Sequence, residues 1–248
     1  MASRPRAFAV WPGPGSGVSL GSGVREFRAL VGATMRPPPF AHDAARGNGQ
    51  PVIVIPGLSS LDMTTARLRM FLKRQGFTAY GWGQGANIGP TARTIRRMLN
   101  EVERIAGRHG TKVALIGQSL GGTVAREIAK RRPDCISRVI TLASPIRLPV
   151  PTPLAPVIRL IAMTWEEGAD APLAELQKPP PVPLTAIITK DDGLVDWRSC
   201  VPDPAPNVEV VEVGGAHTTT GSNPEAQRVV AARLAMAPMP SSSVPEPT

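Results

Sequence analysis

The chain has 248 residues, 42% of them apolar, and carries 28 Lys and Arg against 19 Asp and Glu, for a formal charge of +9. That length can bury one sizeable core, and the positive residues are scattered along helical stretches, as at Arg93, Arg96, Arg97 and Arg104, without the run or aromatic interleaving of a nucleic-acid surface. Its two cysteines, Cys135 and Cys200, sit in no metal or redox spacing and are too few for a disulfide framework.

Residues 1–50 are rich in Gly, Pro, Ser and Arg and read as a partly disordered arm, with one short helix where Phe27, Leu30 and Val31 recur at helical spacing. Arg4 and Arg6 precede an apolar stretch too short for a secretory leader, and no span of about 18 apolar residues occurs. The expectation is a soluble cytoplasmic protein, with peripheral membrane contact left open and oligomeric state unknown.

From Pro51 strand and helix signals alternate. Val52-Ile53-Val54-Ile55 is a continuous β-branched run, the pattern of a parallel strand buried on both faces, and it stops at Pro56-Gly57. Leu61, Leu68, Phe71 and Leu72 share a helical face closed by Gly76, and a strand follows from Phe77 to Trp82. Ile95, Met98, Leu99, Val102, Ile105 and Ala106 keep the i, i+3, i+4, i+7 rhythm of a long helix with Pro90 near its start. Val113 to Ile116 leads through Ser119 into a helix carrying Val124, Ala125, Ile128 and Ala129, and Arg138 to Leu142 is the next strand. A Pro-dense insertion at 145–183, with a short amphipathic helix from Val157 to Trp165, reads as a cap or lid over the sheet. Strands resume at Leu184–Ile188 and Val208–Val213, Asn223-Pro224-Glu225 opens a last helix to about Met236, and 237–248 reads as a disordered tail. Strand and helix in alternation imply parallel pairing, hence an α/β doubly wound, mostly parallel sheet over 51–236.

Gly117-Gln118-Ser119-Leu120-Gly121 lies between a strand and a helix, the layout of a nucleophile elbow, in which small flanking residues let the helix pack back on the strand. Gly17-Val18-Ser19-Leu20-Gly21 fits the same pattern but follows turn and coil chemistry with no strand before it. A serine hydroxyl needs a base, and the base an orienting carboxylate. His42 lies in the arm and His109 toward the opposite edge of the sheet; His217, just after the last strand, falls at the carboxyl edge with Ser119. Asp191, Asp192 and Asp196 follow the strand 184–188. Asp192 is the preferred acid because the glycine after it favours a tight turn, while Asp191 and Asp196 stay as alternatives that cap the turn or face water. The amide of Leu120, and that of Leu58 in the loop Pro56-Gly57-Leu58-Ser59-Ser60, are the expected oxyanion donors.

On these residues the chain resembles the α/β-hydrolase superfamily, and within it the bacterial lipase-like and esterase-like branch. The anchors are Ile55-Pro56-Gly57-Leu58, Gly117-Gln118-Ser119-Leu120-Gly121-Gly122, Asp192-Gly193-Leu194-Val195 and Gly215-Ala216-His217 followed by Asn223-Pro224, spread over residues 50–236. The resemblance implies hydrolysis of carboxylic esters of small molecules or lipids by Ser, His and Asp, with Asp192, before Gly-Leu-Val, as the acid. The chain departs from secreted lipases in lacking a recognisable leader and disulfide pattern. No cofactor or metal is expected: Gly81-Trp82-Gly83-Gln84-Gly85-Ala86 matches a dinucleotide fingerprint after a strand, but the next helix opens only beyond Gly89-Pro90. Trp82 and Gln84 then either shape the pocket or pack. Two alternatives stand beside ester hydrolysis: an acyltransferase or lipid-glycan deacylase with the same residues, and a non-catalytic binding scaffold.

Overall fold

The computed structural model describes residues 20–147, 152, 175 and 177–236. Ser19, the helix expected from Val157 to Trp165, most of the 145–183 insertion and the tail at 237–248 lie outside the described residues.

The described strands are β1 (Pro51–Ile55), β2 (Thr78–Tyr80), β3 (Val113–Gln118), β4 (Ile136–Leu142), β5 (Leu184–Ile188) and β6 (Val208–Glu212). They form one sheet in the order β2-β1-β3-β4-β5-β6, and every neighbouring pair is parallel. The helices are α1 (Leu20–Met35), α2 (Ala66–Arg74), α3 (Ala92–His109), α4 (Leu120–Arg131) and α5 (Pro224–Ala235). Alternate residues of β1 go to opposite faces. Ile53 and Ile55 join Leu115, Val139, Met98, Val102 and Ile128 under α3 and α4, while Val52 and Val54 join Ile116, Ile140, Phe71, Leu72 and Val230 under α2 and α5. Both faces of the sheet are therefore covered, as an all-parallel sheet requires, and each such buried aliphatic side chain contributes about 1.5–3 kcal/mol. This is the doubly wound architecture expected from the alternation.

Helix boundaries follow local chemistry. The Thr91 hydroxyl accepts from the Thr94 N–H to cap α3, and Gly110, at φ +60°, closes it in the left-handed conformation. Asn223 caps α5 through the Glu225 N–H, with Pro224 in its first turn. Leu61, expected on the buried face of α2, is 48% exposed, because a 3-10 turn at Asp62–Thr65 precedes that helix and changes the phase.

The second difference lies before β1. α1 spans 16 residues and packs against the 3-10 turn His217–Ser222. Residues 20–35, read from sequence within a loose arm, thus reach the end of the sheet where the candidate site residues gather.

Candidate functional site

Ser119 follows the last residue of β3 and precedes the first of α4, with φ 50° and ψ −125°. A non-glycine residue there stores strain of about 1–3 kcal/mol, held by surrounding bonds: its N–H donates to Leu142 O (2.8 Å) and its carbonyl accepts from Gly122 N–H (2.9 Å). The flanking glycines are demanded by space. A Cβ on Gly117 would lie 2.3 Å from Gly121 O, one on Gly121 2.4 Å from Ile55 O, and one on Gly122 2.3 Å from Ser144 Oγ. α4 can thus start directly against β1, β3 and the end of β4. The Leu120 N–H, at the first position of α4, precedes any carbonyl of the helix that could accept it and lies at the positive end of the helix dipole.

Asp192 and His217 follow β5 and β6, which are adjacent and in register from Leu184↔Val208 to Ile188↔Glu212. His217 Nδ1 meets Asp192 Oδ2 at 2.6 Å, and both side chains are buried. Asp192 Oδ1 accepts from the N–H groups of Leu194 (2.9 Å) and Val195 (2.8 Å), so the Asp-Gly turn aims the second oxygen at the imidazole. Burial disfavours the imidazolium, but the charge and hydrogen bond of Asp192, with a further contribution from Glu26, outweigh it and hold His217 above its ordinary value of 6.5. Asp191 accepts instead from Gly215 N–H (3.4 Å). Asp196 caps the 3-10 turn Trp197–Cys200 through Arg198 N–H. Of the three histidines, His42 is exposed and His109 pairs with the Tyr80 hydroxyl at 2.8 Å.

Gln118 ties the elbow to the histidine segment. Its side-chain amide donates toward the carbonyls of His217 and Thr218, each at 3.4 Å. On the other side of Ser119, a Cβ on Gly57 would lie 3.4 Å from the Ser119 Cβ, so the loop after β1 passes beside that serine. That loop is pinned on both sides of Leu58. Buried Asn87 donates from its side chain to Pro56 O (2.7 Å), its main chain exchanges bonds with Ser59 and Ser60, and its Oδ1 accepts from Gly89 N–H (2.9 Å).

Gln118, Asn87 and Glu26 escaped the sequence reading. Only Glu26 left a signal: Ser22, Glu26, Ala29 and Ala33 form the inward face of α1, whereas Val24, Phe27, Val31 and Met35 are exposed. The apolar residues used to find the helix lie on its outer side.

The Gly81–Gly83 segment is also accounted for. Asp62 accepts from the N–H groups of Trp82 (2.6 Å) and Gly83 (2.8 Å), so a carboxylate already occupies the amides a phosphate would need. Trp82 is buried in the core under α3, its indole N–H on Gly85 O.

Residues 90–173 match the family model described as a PGAP1-like alpha/beta domain, a stretch that contains the elbow but neither Asp192 nor His217. A Yersinia enterocolitica protein named as the carbamate hydrolase RutD is 28% identical over 69 residues, which cover 27% of this chain and only 25% of that relative. Among solved structures, a monoacylglycerol lipase from Paleococcus ferrophilus aligns with TM-score 0.50 at 17% identity, over 75% of this chain and 96% of that one. A proline iminopeptidase from Mycobacterium smegmatis aligns at 0.52 and 18%, over 77% and 91%. Naproxen esterase from Bacillus subtilis aligns at 0.52 and 14%, over 86% and 97%. An esterase, a lipase and a peptidase fit about equally well, so the likeness speaks for the scaffold and leaves the substrate to the site.

Proposed function

We propose that this chain, a member of the α/β-hydrolase superfamily, is a serine hydrolase that cleaves carboxylic esters through an acyl-enzyme on Ser119. The observation that carries the reading is the buried 2.6 Å contact between His217 Nδ1 and Asp192 Oδ2, at the sheet edge where Ser119 sits half-buried on its strained turn. His217 takes the Ser119 proton as the hydroxyl oxygen attacks the ester carbonyl. Asp192 orients the ring and stabilises the imidazolium. The Leu58 and Leu120 amides receive the charge that develops on the carbonyl oxygen. His217 returns its proton to the departing alcohol, then activates a water that releases the acid. A raised His217 value suits a base that must accept a proton from a weakly acidic hydroxyl.

The outer face of α1 supports contact with an anionic lipid surface as the place where substrate is met. Val24, Phe27, Val31 and Met35 line one exposed side, Arg25 and Arg28 are exposed on the same helix, and exposed Arg36 follows its last residue. Apolar insertion backed by arginines is the composition of an interfacial helix. The contact proposed is docking of one helix face; among the described residues no helix is long and apolar enough to cross a membrane. Phe27→Ser should reduce sedimentation with phosphatidylserine vesicles, and neutral phosphatidylcholine vesicles should bind less than anionic ones. Equal binding to both, or none by the parent, would refute the assignment.

The test of activity is a panel of nitrophenyl esters of increasing acyl length, run on the parent and on Ser119→Ala. Hydrolysis lost with the hydroxyl is the expected result. Turnover that survives the substitution would overturn the mechanism. No turnover at any chain length would favour a different acyl acceptor or a non-catalytic scaffold.

A further inference from the structure

The turn that carries Asp192 and the loop that carries His217 are joined by a residue belonging to neither. Glu26, on α1, is 2% exposed. One of its carboxylate oxygens accepts the N–H groups of Gly193 and His217, both at 2.8 Å. The other accepts the N–H of Thr218 at 3.0 Å and its hydroxyl at 2.9 Å. One turn earlier, the Ser22 hydroxyl donates to Gly193 O at 2.9 Å. A Cβ on Gly193 would lie 2.6 Å from Ser22 O and 2.8 Å from Glu26 Cγ, so the helix lies flush on the acid turn.

The geometry points to Glu26 as a positioning residue that locks the main chain of His217 to the turn bearing Asp192, and so fixes the base against its acid. This rests on reading His217 and Asp192 as base and acid. Two segments 25 residues apart in the chain present three main-chain N–H groups to the same space, and one buried anion satisfies all three. Bonds of this charge-assisted kind are roughly twice as strong as neutral ones, and each buried N–H left without a partner bears the cost of its lost hydration. Glutamine cannot substitute fully: it offers one acceptor oxygen and would turn an amide N–H toward the donors of Thr218. The anion is held in place by its partners. Burial alone would raise the Glu26 carboxyl, but the hydrogen bonds from Thr218, Gly193 and His217 bring it below its ordinary value of 4.5. The charges acting on the His217 imidazole are those of Asp192 and Glu26, so Glu26 also steadies the imidazolium formed as Ser119 loses its proton.

The test uses the full chain with Glu26→Gln, Glu26→Ala and Thr218→Val, each checked for folding by circular dichroism. Ester kcat and KM are measured against pH, and His217 is titrated by NMR of its imidazole C–H, assigned with His217→Gln. Glu26→Ala should lower kcat by about tenfold or more with little change in KM, the cost of a misplaced catalytic group. Glu26→Gln should fall between it and the parent. In both, the His217 midpoint and the acid limb of the rate profile should move to lower pH, a shift that loss of packing alone would not produce. An unchanged midpoint in both variants would overturn the assignment, as would parent-like kcat. If neither Glu26 variant folds, Thr218→Val, which removes one donor and leaves the carboxylate, carries the test: a several-fold loss of kcat supports the role and parent-like kcat refutes it. Should Ser119→Ala hydrolyse esters as fast as the parent, the reading of the site fails, while the NMR titration, which needs no turnover, still judges Glu26.

Discussion

Gly121→Ala asks whether the start of α4 is as tightly seated as its contacts imply. A methyl carbon there would lie 2.4 Å from Ile55 O, 2.5 Å from Pro56 O and 2.9 Å from Ile55 C. All three are main-chain atoms of β1 and the loop after it, with no flexible side chain to swing aside. Ordinary contact begins at 3.4 Å, so α4 or the Pro56–Leu58 loop has to retreat by about 1 Å, a displacement that can cost about a hundredfold in rate when it moves catalytic groups. Overpacking of this kind costs about 1–3 kcal/mol, against a helix-propensity gain from Gly to Ala of about 1 kcal/mol. The net expectation is destabilisation of up to about 2 kcal/mol. Loss of activity should be out of proportion to it, because the substitution separates the segments carrying the Leu120 and Leu58 amides. Gly107→Ala is the internal control: it lies in α3, exposed, with nothing within 4 Å of its Cβ position. There the same propensity gain acts unopposed, and stability should rise by about 0.5–1 kcal/mol. Urea unfolding and ester kcat/KM measured on both variants decide the matter. Gly121→Ala matching the parent in both would refute the claim that a close approach of α4 to β1 builds the elbow.

Three further outcomes are expected. Asp192→Asn should lower kcat by up to about 10⁴-fold, the effect of losing the carboxylate that fixes the base tautomer. Asp196→Asn should stay near the parent, since asparagine caps a helical turn as well as aspartate; a larger loss from the second variant in the ester assay would reassign the acid. Asn87→Ala removes the partners of Pro56 O and Gly89 N–H and should cost about 1–3 kcal/mol for each buried group left unpaired, with kcat falling as the Leu58 loop loosens. Unchanged kcat would show that Asn87 does not position that loop. Stability should peak between two limits. The Glu26 carboxyl is held below 4.5 when folded, so its contribution is present above that value and lost as pH falls through the folded one. His217 is held above 6.5 when folded, so its contribution is complete below 6.5 and lost as pH rises through the folded value. Melting temperature against pH measures both, and Glu26→Gln should flatten the acid side and bring the loss on the alkaline side to lower pH along with the His217 midpoint; an acid side that stays equally steep would refute that attribution. The acid limb of activity should correspondingly lie above pH 6.5.

Much of the scaffold was legible because its signals are local. The β-branched run at 52–55 read as a buried parallel strand and 184–188 as a further strand of the sheet, and β5 has the expected ends. The Ser119 turn announced itself through glycines whose close contacts the structure supplies. Asp192 stood out from Asp191 and Asp196 by the glycine after it, and it is the one that meets His217. α2 was legible in kind and wrong in phase at Leu61, since a 3-10 turn shifts the helical count without leaving a compositional mark.

What the chain determines by itself is the set of elements and the order of Ser119, Asp192 and His217 along it, because those depend on periodicity, turn chemistry and steric demands within a few residues. What only the tertiary structure decides is who holds these groups together. Glu26 precedes His217 by 191 residues and lies on a helix whose visible apolar rhythm faces outward. Asn87 reaches Pro56 from 31 residues away. A polar side chain in sequence carries no sign of whether water or two distant loops will satisfy it; that follows only when folding removes the water and leaves converging N–H groups to find an acceptor.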